Sequence, residues 1–137
     1  TECVFDSNKG YRGGAVDVTV DATFEDIDGR YIDNETSEDE GGAIRVFSEG
    51  KLTLNLTSFE GNEAENNGGG AVYIHNPGDT VEVTDASFKN NVAGSGDGGG
   101  ILADYRTDLT VSGSTFEDNS TSGSGGDDGM GDGGGAG

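Results

Sequence analysis

"FEGNEAENNGGGAVYI", residues 59–74, runs from an aromatic residue to an asparagine three places on, then through acidic and amide residues to three glycines and a short apolar alternation. The same order returns along the whole chain. Aromatic–x–x–asparagine occurs as Phe5–Asn8, Tyr31–Asn34, Phe59–Asn62, Phe88–Asn91 and Phe116–Asn119. A glycine pair followed by small apolar residues occurs as "GGAV" at 13–16, "GGAI" at 41–44, "GGAV" at 69–72 and "GGIL" at 99–102, with "GGAG" at 134–137. From aromatic to aromatic the steps are 26, 28, 29 and 28 residues. A fixed period of this size marks a solenoid or an array.

Each unit divides in the same way. Alternating segments follow the glycines: Val16 and Val18, Ile44 and Val46, Val72 and Ile74, with Asp17, Arg45 and Tyr73 between them. Period-two alternation over so few residues is the pattern of a half-buried strand. After a turn such as "SEGK" or "HNPGD", a second alternation leads to the next aromatic: Leu52, Leu54 and Leu56; Val81 and Val83; Leu109 and Val111. No window carries helical spacing with a cap. The expected fold is all-β: a right-handed parallel β-helix, open ended, of four to five coils of about 28 residues.

The coils are expected over residues 1–119, in units of 1–12 (partial), 13–40, 41–68, 69–97 and 98–125. The Gly- and Asp-rich stretch 120–137 reads as a loop or the start of a further coil. Val16, Ile44, Val72 and Leu102 are expected in one inward column and the aromatics in another. The asparagines should form a ladder at a turn, because Asn tolerates turn geometry and carries both a donor and an acceptor. Unit 13–40 fits least well: Asp26 stands where the other units have Leu54, Val83 and Val111, so a register shift or bulge is expected there. Cys3 aligns with Gly29, Thr57, Ala86 and Ser114 and reads as a small residue in a small buried slot.

Composition limits the partners. With 27 acidic residues against seven Lys and Arg, the net charge is −20, which excludes nucleic acid as a default partner and disfavours anionic membranes. Only 30% of residues are hydrophobic and 27 are glycine, so the core is a thin column. Four to five coils make a body only about 20–25 Å long. Its coil faces offer unpaired strand edges, so a segment of a longer β-helix, or a subunit stacked end to end on others, is expected.

The paired GGA[ILV] and FxxN motifs, from Phe5 to about Ala136, resemble the repeat of the chlamydial polymorphic outer membrane proteins and of similar bacterial and algal surface proteins. The resemblance implies a right-handed β-helix displayed extracellularly or at a cell surface, acting in adhesion or as part of a surface layer or fibre. These 137 residues themselves show no translocator-barrel pattern.

Candidate sites are few. The acids change position from coil to coil and the basic residues mark no common site, so no catalytic set is assigned and no enzymatic activity is expected. The alternative is a polysaccharide-binding or polysaccharide-processing β-helix. His75 stands beside a turn, with no partner evident in the sequence. Asp97 in "GDGG" and Asp127, Asp128 and Asp132 in "DDGMGD" are candidate calcium ligands, although calcium needs six or more oxygens. Calcium is the one cofactor considered. Three sequons occur, at Asn34, Asn55 and Asn119. The first and last belong to the expected ladder, whereas Asn55 lies between Leu54 and Leu56 and should point outward. Asn55 is therefore the expected glycan carrier in a glycosylating compartment.

Overall fold

The computed structural model describes residues 2–122, and every regular element among them is a strand. The chain winds through about four turns of a β-solenoid with four parallel sheets as its faces. The glycine face holds Val16–Thr19, Ile44–Phe47, Val72–His75 and Ile101–Asp104, and the second face Thr23–Ile27, Lys51–Asn55, Val81–Thr84 and Leu109–Ser112. The aromatic face holds Val4–Asp6, Arg30–Ile32, Ser58–Glu60, Ser87–Lys89 and Thr115–Glu117. A short face of two-residue strands follows each asparagine and runs on to Ser120–Thr121. Every strand pairs in parallel with its counterpart one coil away. Sequence repeat and hydrogen-bond ladder are therefore one and the same period.

The core is built from columns. Phe5, Tyr31, Phe59, Phe88 and Phe116 stack ring on ring, with centroids 4.7–4.8 Å apart and nearly parallel planes. Tyr31, Phe59 and Phe88 are buried. Such pairs contribute about 0.5–1.5 kcal/mol each beyond the area they bury. Beside them the asparagine ladder forms as expected. Asn62 Oδ1 accepts from the backbone N–H and the side-chain amide of Asn34, at 3.0 and 2.9 Å. Its own amide donates to Asn91 Oδ1 at 2.9 Å and to the Tyr31 carbonyl at 3.0 Å. The residue before each asparagine (Ser7, Asp33, Gly61, Asn90, Asp118) has φ between 51° and 67°. The sharp corner this makes is what aims the amide inward.

Three expectations about packing are corrected. The column of Val16, Ile44 and Val72 continues through Ile101, not Leu102, which pairs with Tyr73 on the outer side. The reason is backbone conformation: Gly13, Gly41 and Gly69 take positive φ, and Gly98 takes that role, so the motif of the last unit is Gly98–Ile101. Leu56 does not follow Leu52 and Leu54 inward; it occupies a corner at φ 56° and is 55% exposed. Cys3 is exposed, because its slot is enclosed only where a coil lies on each side, as at Thr57 and Ala86.

Unit 13–40 holds a fourth correction. Thr23–Ile27 pairs in unbroken register with Lys51–Asn55, with no bulge, and Asp26 takes the inward place opposite Leu54. Its carboxylate is buried and accepts from the Thr57 hydroxyl at 3.1 Å. Burial holds its pKa above the ordinary carboxylate range, against the opposing hydrogen bonds from Thr57 and the Gly29 N–H. The fold thus favours the neutral acid: the stabilisation is fully present below the unfolded value near 3.9 and is lost as pH rises through the raised folded value. Leu54 and Val83 fill the same inward place in the following coils and are fully buried there. Asp26→Leu is expected to raise stability at pH 7 by about 1–3 kcal/mol, with the gain shrinking toward pH 4 in thermal melts. A gain that grew on acidification would contradict this assignment of the buried acid.

Candidate functional site

Alternation on the glycine face turns two rows of side chains outward. One is Asp17, Arg45, Tyr73 and Leu102; the other is Thr19, Phe47, His75 and Asp104. Parallel pairing in register brings each row into contact along the solenoid axis. Phe47 stacks on His75 at 4.8 Å, and His75 on Tyr105 at 5.4 Å. The Arg45 guanidinium lies 4.3 Å from the Phe47 ring centre and that of Arg106 5.2 Å from the Tyr105 ring. The result is a column of three rings with a cation at each end. Cation–π contacts of this kind contribute about 0.5–2 kcal/mol, the larger value when desolvated.

The two ends differ in burial. Arg45 and Tyr73 stand at the outward positions of their strands, yet each is only 5% exposed. Asp17 on the neighbouring strand and the acidic loop "ETSEDE" together hold Arg45 down: its guanidinium lies 3.1 Å from Asp17, 3.8 Å from Glu40 and 3.9 Å from Asp39, while Arg12 reaches Asp39 at 3.1 Å. Burial, followed by the hydrogen bond and charge of Asp39, pushes the Glu40 carboxyl up to about 7. Asp39 is also partly buried, but the hydrogen bond with Glu40 and the charges of Arg45 and Arg12 leave it below the ordinary range. Below neutrality the pair shares one proton, which it loses as pH rises through about 7.

At the other end the groups reach solvent. Asp104 receives Tyr73 Oη at 3.2 Å on one oxygen and lies 2.5 Å from His75 Nδ1 with the other. Burial and the charges of Asp104 and Glu40 hold the Tyr73 phenol above its ordinary pKa, so it serves as a donor to Asp104. Tyr105 is 57% exposed. Imidazole, carboxylate, phenol and guanidinium thus converge within one patch that alternates apolar edges and polar tips. Because the ring faces cover one another, a ligand would meet ring edges and polar tips. His75 ends a strand and has Asp104 as partner, where the sequence suggests a turn histidine without one. The signal that could have found this patch is the period: Phe47 and His75 are 28 residues apart, and His75 and Asp104 are 29 apart.

The remaining candidates are dispersed. Phe5, Asn8, Tyr31, Asn34, Phe59, Asn62, Phe88, Asn91, Phe116 and Asn119 belong to the two internal ladders. Asn55 lies half exposed on the outer side of the second face, in register with Ile27 and Thr84. Asp97 is exposed, and Asp127, Asp128 and Asp132 lie outside the described residues. Among the described residues no group of three or more His, Cys, Asp or Glu side chains is arranged to hold a metal ion. Thr53 and Glu82, from the outward row of the second face, line an open groove of about 350 Å³ together with Lys51 and Asp79.

Comparison with known proteins agrees with the coil architecture. The family model described as the right handed beta helix region matches residues 24–130. A segment of 85 residues is 41% identical to the probable autotransporter YfaL of Escherichia coli (strain K12), covering 58% of this chain and 6% of that protein. No solved structure matches the chain.

Proposed function

The chain belongs to the right-handed β-helix family, and on that premise we propose that it is part of a surface-displayed adhesive rod, of the kind carried by polymorphic outer membrane protein repeats. Similarity to a probable autotransporter supports the surface location. Among the described residues no helix is long and apolar enough to cross a membrane. The observation that carries the adhesive reading is the outer column of Phe47, His75, Tyr105 and Arg106, an aromatic and charged patch on an otherwise acidic surface. Tyrosine and arginine are the residues on which binding energy concentrates. Because each coil pairs in parallel with the next, further coils or further copies extend the same rod, which is the fibre form of the same proposal.

The test is binding of the purified chain to a panel of immobilised matrix proteins and glycans. Saturable binding to at least one member is expected, and the His75→Ala/Tyr105→Ala double variant should bind about 30-fold more weakly, a loss of about 2 kcal/mol, while still melting cooperatively above the assay temperature. No binding above an albumin control, or equal binding by the folded double variant, would sink the reading. The convergence of His75, Asp104 and Tyr73 favours one second reading, a site that handles polysaccharide. Release of reducing ends from a glycan, abolished by His75→Ala, would select it.

A further inference from the structure

Three asparagines lie in N-x-Ser/Thr sequons, and the structure separates them by what their amides already do. Asn34 is fully buried, and its Nδ2 donates to the Phe5 carbonyl and to Asn62 Oδ1, both at 2.9 Å. Both amide hydrogens are in use inside the solenoid. Asn119 donates to the Phe88 carbonyl at 2.9 Å and accepts the Asn91 side-chain and backbone N–H groups at 2.8 and 3.1 Å. Turning it outward would release Asn91. Asn55 stands apart: its side chain is half exposed on the outer side of its strand and makes no hydrogen bond among the described residues.

The surroundings of Asn55 are equally distinct. Ile27 is its register partner one coil away and is 54% exposed, and Leu56, the next residue, is 55% exposed. These two are among the largest exposed apolar side chains of the described molecule, and both adjoin Asn55, one across the register and one along the chain. Clustered exposed apolar groups are normally covered by something. The group that the chemistry of the site attaches here is a sugar.

We propose that Asn55 is the N-glycan acceptor of this chain, and that the first sugars lie over Ile27 and Leu56. The transfer joins Asn55 Nδ2 to the anomeric carbon of a sugar carried on a lipid pyrophosphate. The carbon–oxygen bond to pyrophosphate breaks, the pyrophosphate leaves with the electron pair, and the amide gives up one proton. A chain modified at Asn34 would lose the ladder and not reach the folded state.

The test is secretion of the chain from cells with an oligosaccharyltransferase, followed by glycopeptide mapping of the folded fraction. Sugar on Asn55, with Asn34 and Asn119 bare, is the expected result. Bare Asn55, or sugar on Asn34 or Asn119 in folded material, overturns the assignment. The second part is read from Asn55→Gln, which keeps an amide at a half-exposed position. It should bind an apolar dye at least twofold more than the glycosylated chain and self-associate at lower concentration; equal dye binding overturns the covering role. Neither readout depends on adhesion, so the binding panel can fail while the modification site stands, or the reverse.

Discussion

Gly70→Ala is expected to be among the most destabilising single methyl additions in the solenoid. A methyl group at this position would lie 2.2 Å from the Gly99 carbonyl oxygen and 2.6–2.7 Å from the backbone of Val92. Every obstructing atom is main chain, so no side-chain rotation relieves the clash. Gly42 and Gly14 stand in the same relation to the next coil, with a carbonyl oxygen 2.0 Å from the added atom. Relief requires the coils to part, which stretches the hydrogen bonds that join them, such as Ala71 N–H to the Gly100 carbonyl at 3.1 Å. Overpacking costs about 1–3 kcal/mol even where side chains can yield, and here the backbone must yield. Against a typical total of about 5–15 kcal/mol, a loss of more than about 3 kcal/mol is expected, read as a fall of over about 10 °C in melting temperature or no transition. Gly100→Ala is the control. Ala15, Ala43 and Ala71 occupy its place in the other coils, and the added methyl meets side chains alone, the Phe116 ring at 3.1 Å and Asn119 Cγ at 3.6 Å. It should be near neutral. A Gly70→Ala protein that melted like the wild type would show that coil spacing is not set by the glycine column.

Asn62→Ala carries the second largest expected effect. Truncation removes the acceptor for both the backbone and side-chain N–H groups of Asn34, and the donor to the Tyr31 carbonyl and to Asn91 Oδ1. All of this lies in a fully buried corner where water cannot substitute. At about 1–3 kcal/mol for each buried group left without a partner, and with partial relaxation, the cost should reach about 3–5 kcal/mol. Asn8→Ala deletes an exposed rung whose amide donates to Asn34 Oδ1 at 2.8 Å, and should cost only about 1 kcal/mol. Chemical denaturation of the two variants side by side measures the difference. Equal losses would mean that the ladder acts through local turn geometry at each corner and not through the buried rungs.

Both ladders are legible in the sequence because their residues are unusual at their positions and recur at one step. An asparagine that returns three places after every core aromatic has to be satisfied in the same way in each coil, and only its own counterparts recur at that spacing. The glycine motif is harder to place in its last unit: "GDGGGIL" offers two alignments, and only the positive φ of Gly98 decides between them. Asp26 misleads because a charge in an apolar column reads as a break in the strand. In the folded chain, the continuous pairing of Thr23–Ile27 with Lys51–Asn55 holds the register without help from that side chain. The outer patch is legible only in part. Most of its members come from two outward rows that recur in each coil, but Tyr105 and Arg106 lie past the strand end and the burial of Arg45 depends in part on the loop beside it, and loop paths carry no period.

The hydrogen bonds between coils run along the solenoid axis, and each coil is held by those of its neighbours alone. Tension applied through the chain therefore falls first on an outermost coil, which can peel away while the rest keeps its structure. One released coil of about 28 residues adds up to roughly 95–100 Å of slack, about twenty times the spacing it gave up. A solenoid built this way behaves as a shock absorber: a sudden pull is spent on unwinding a coil, and whatever the chain is joined to is spared the peak force.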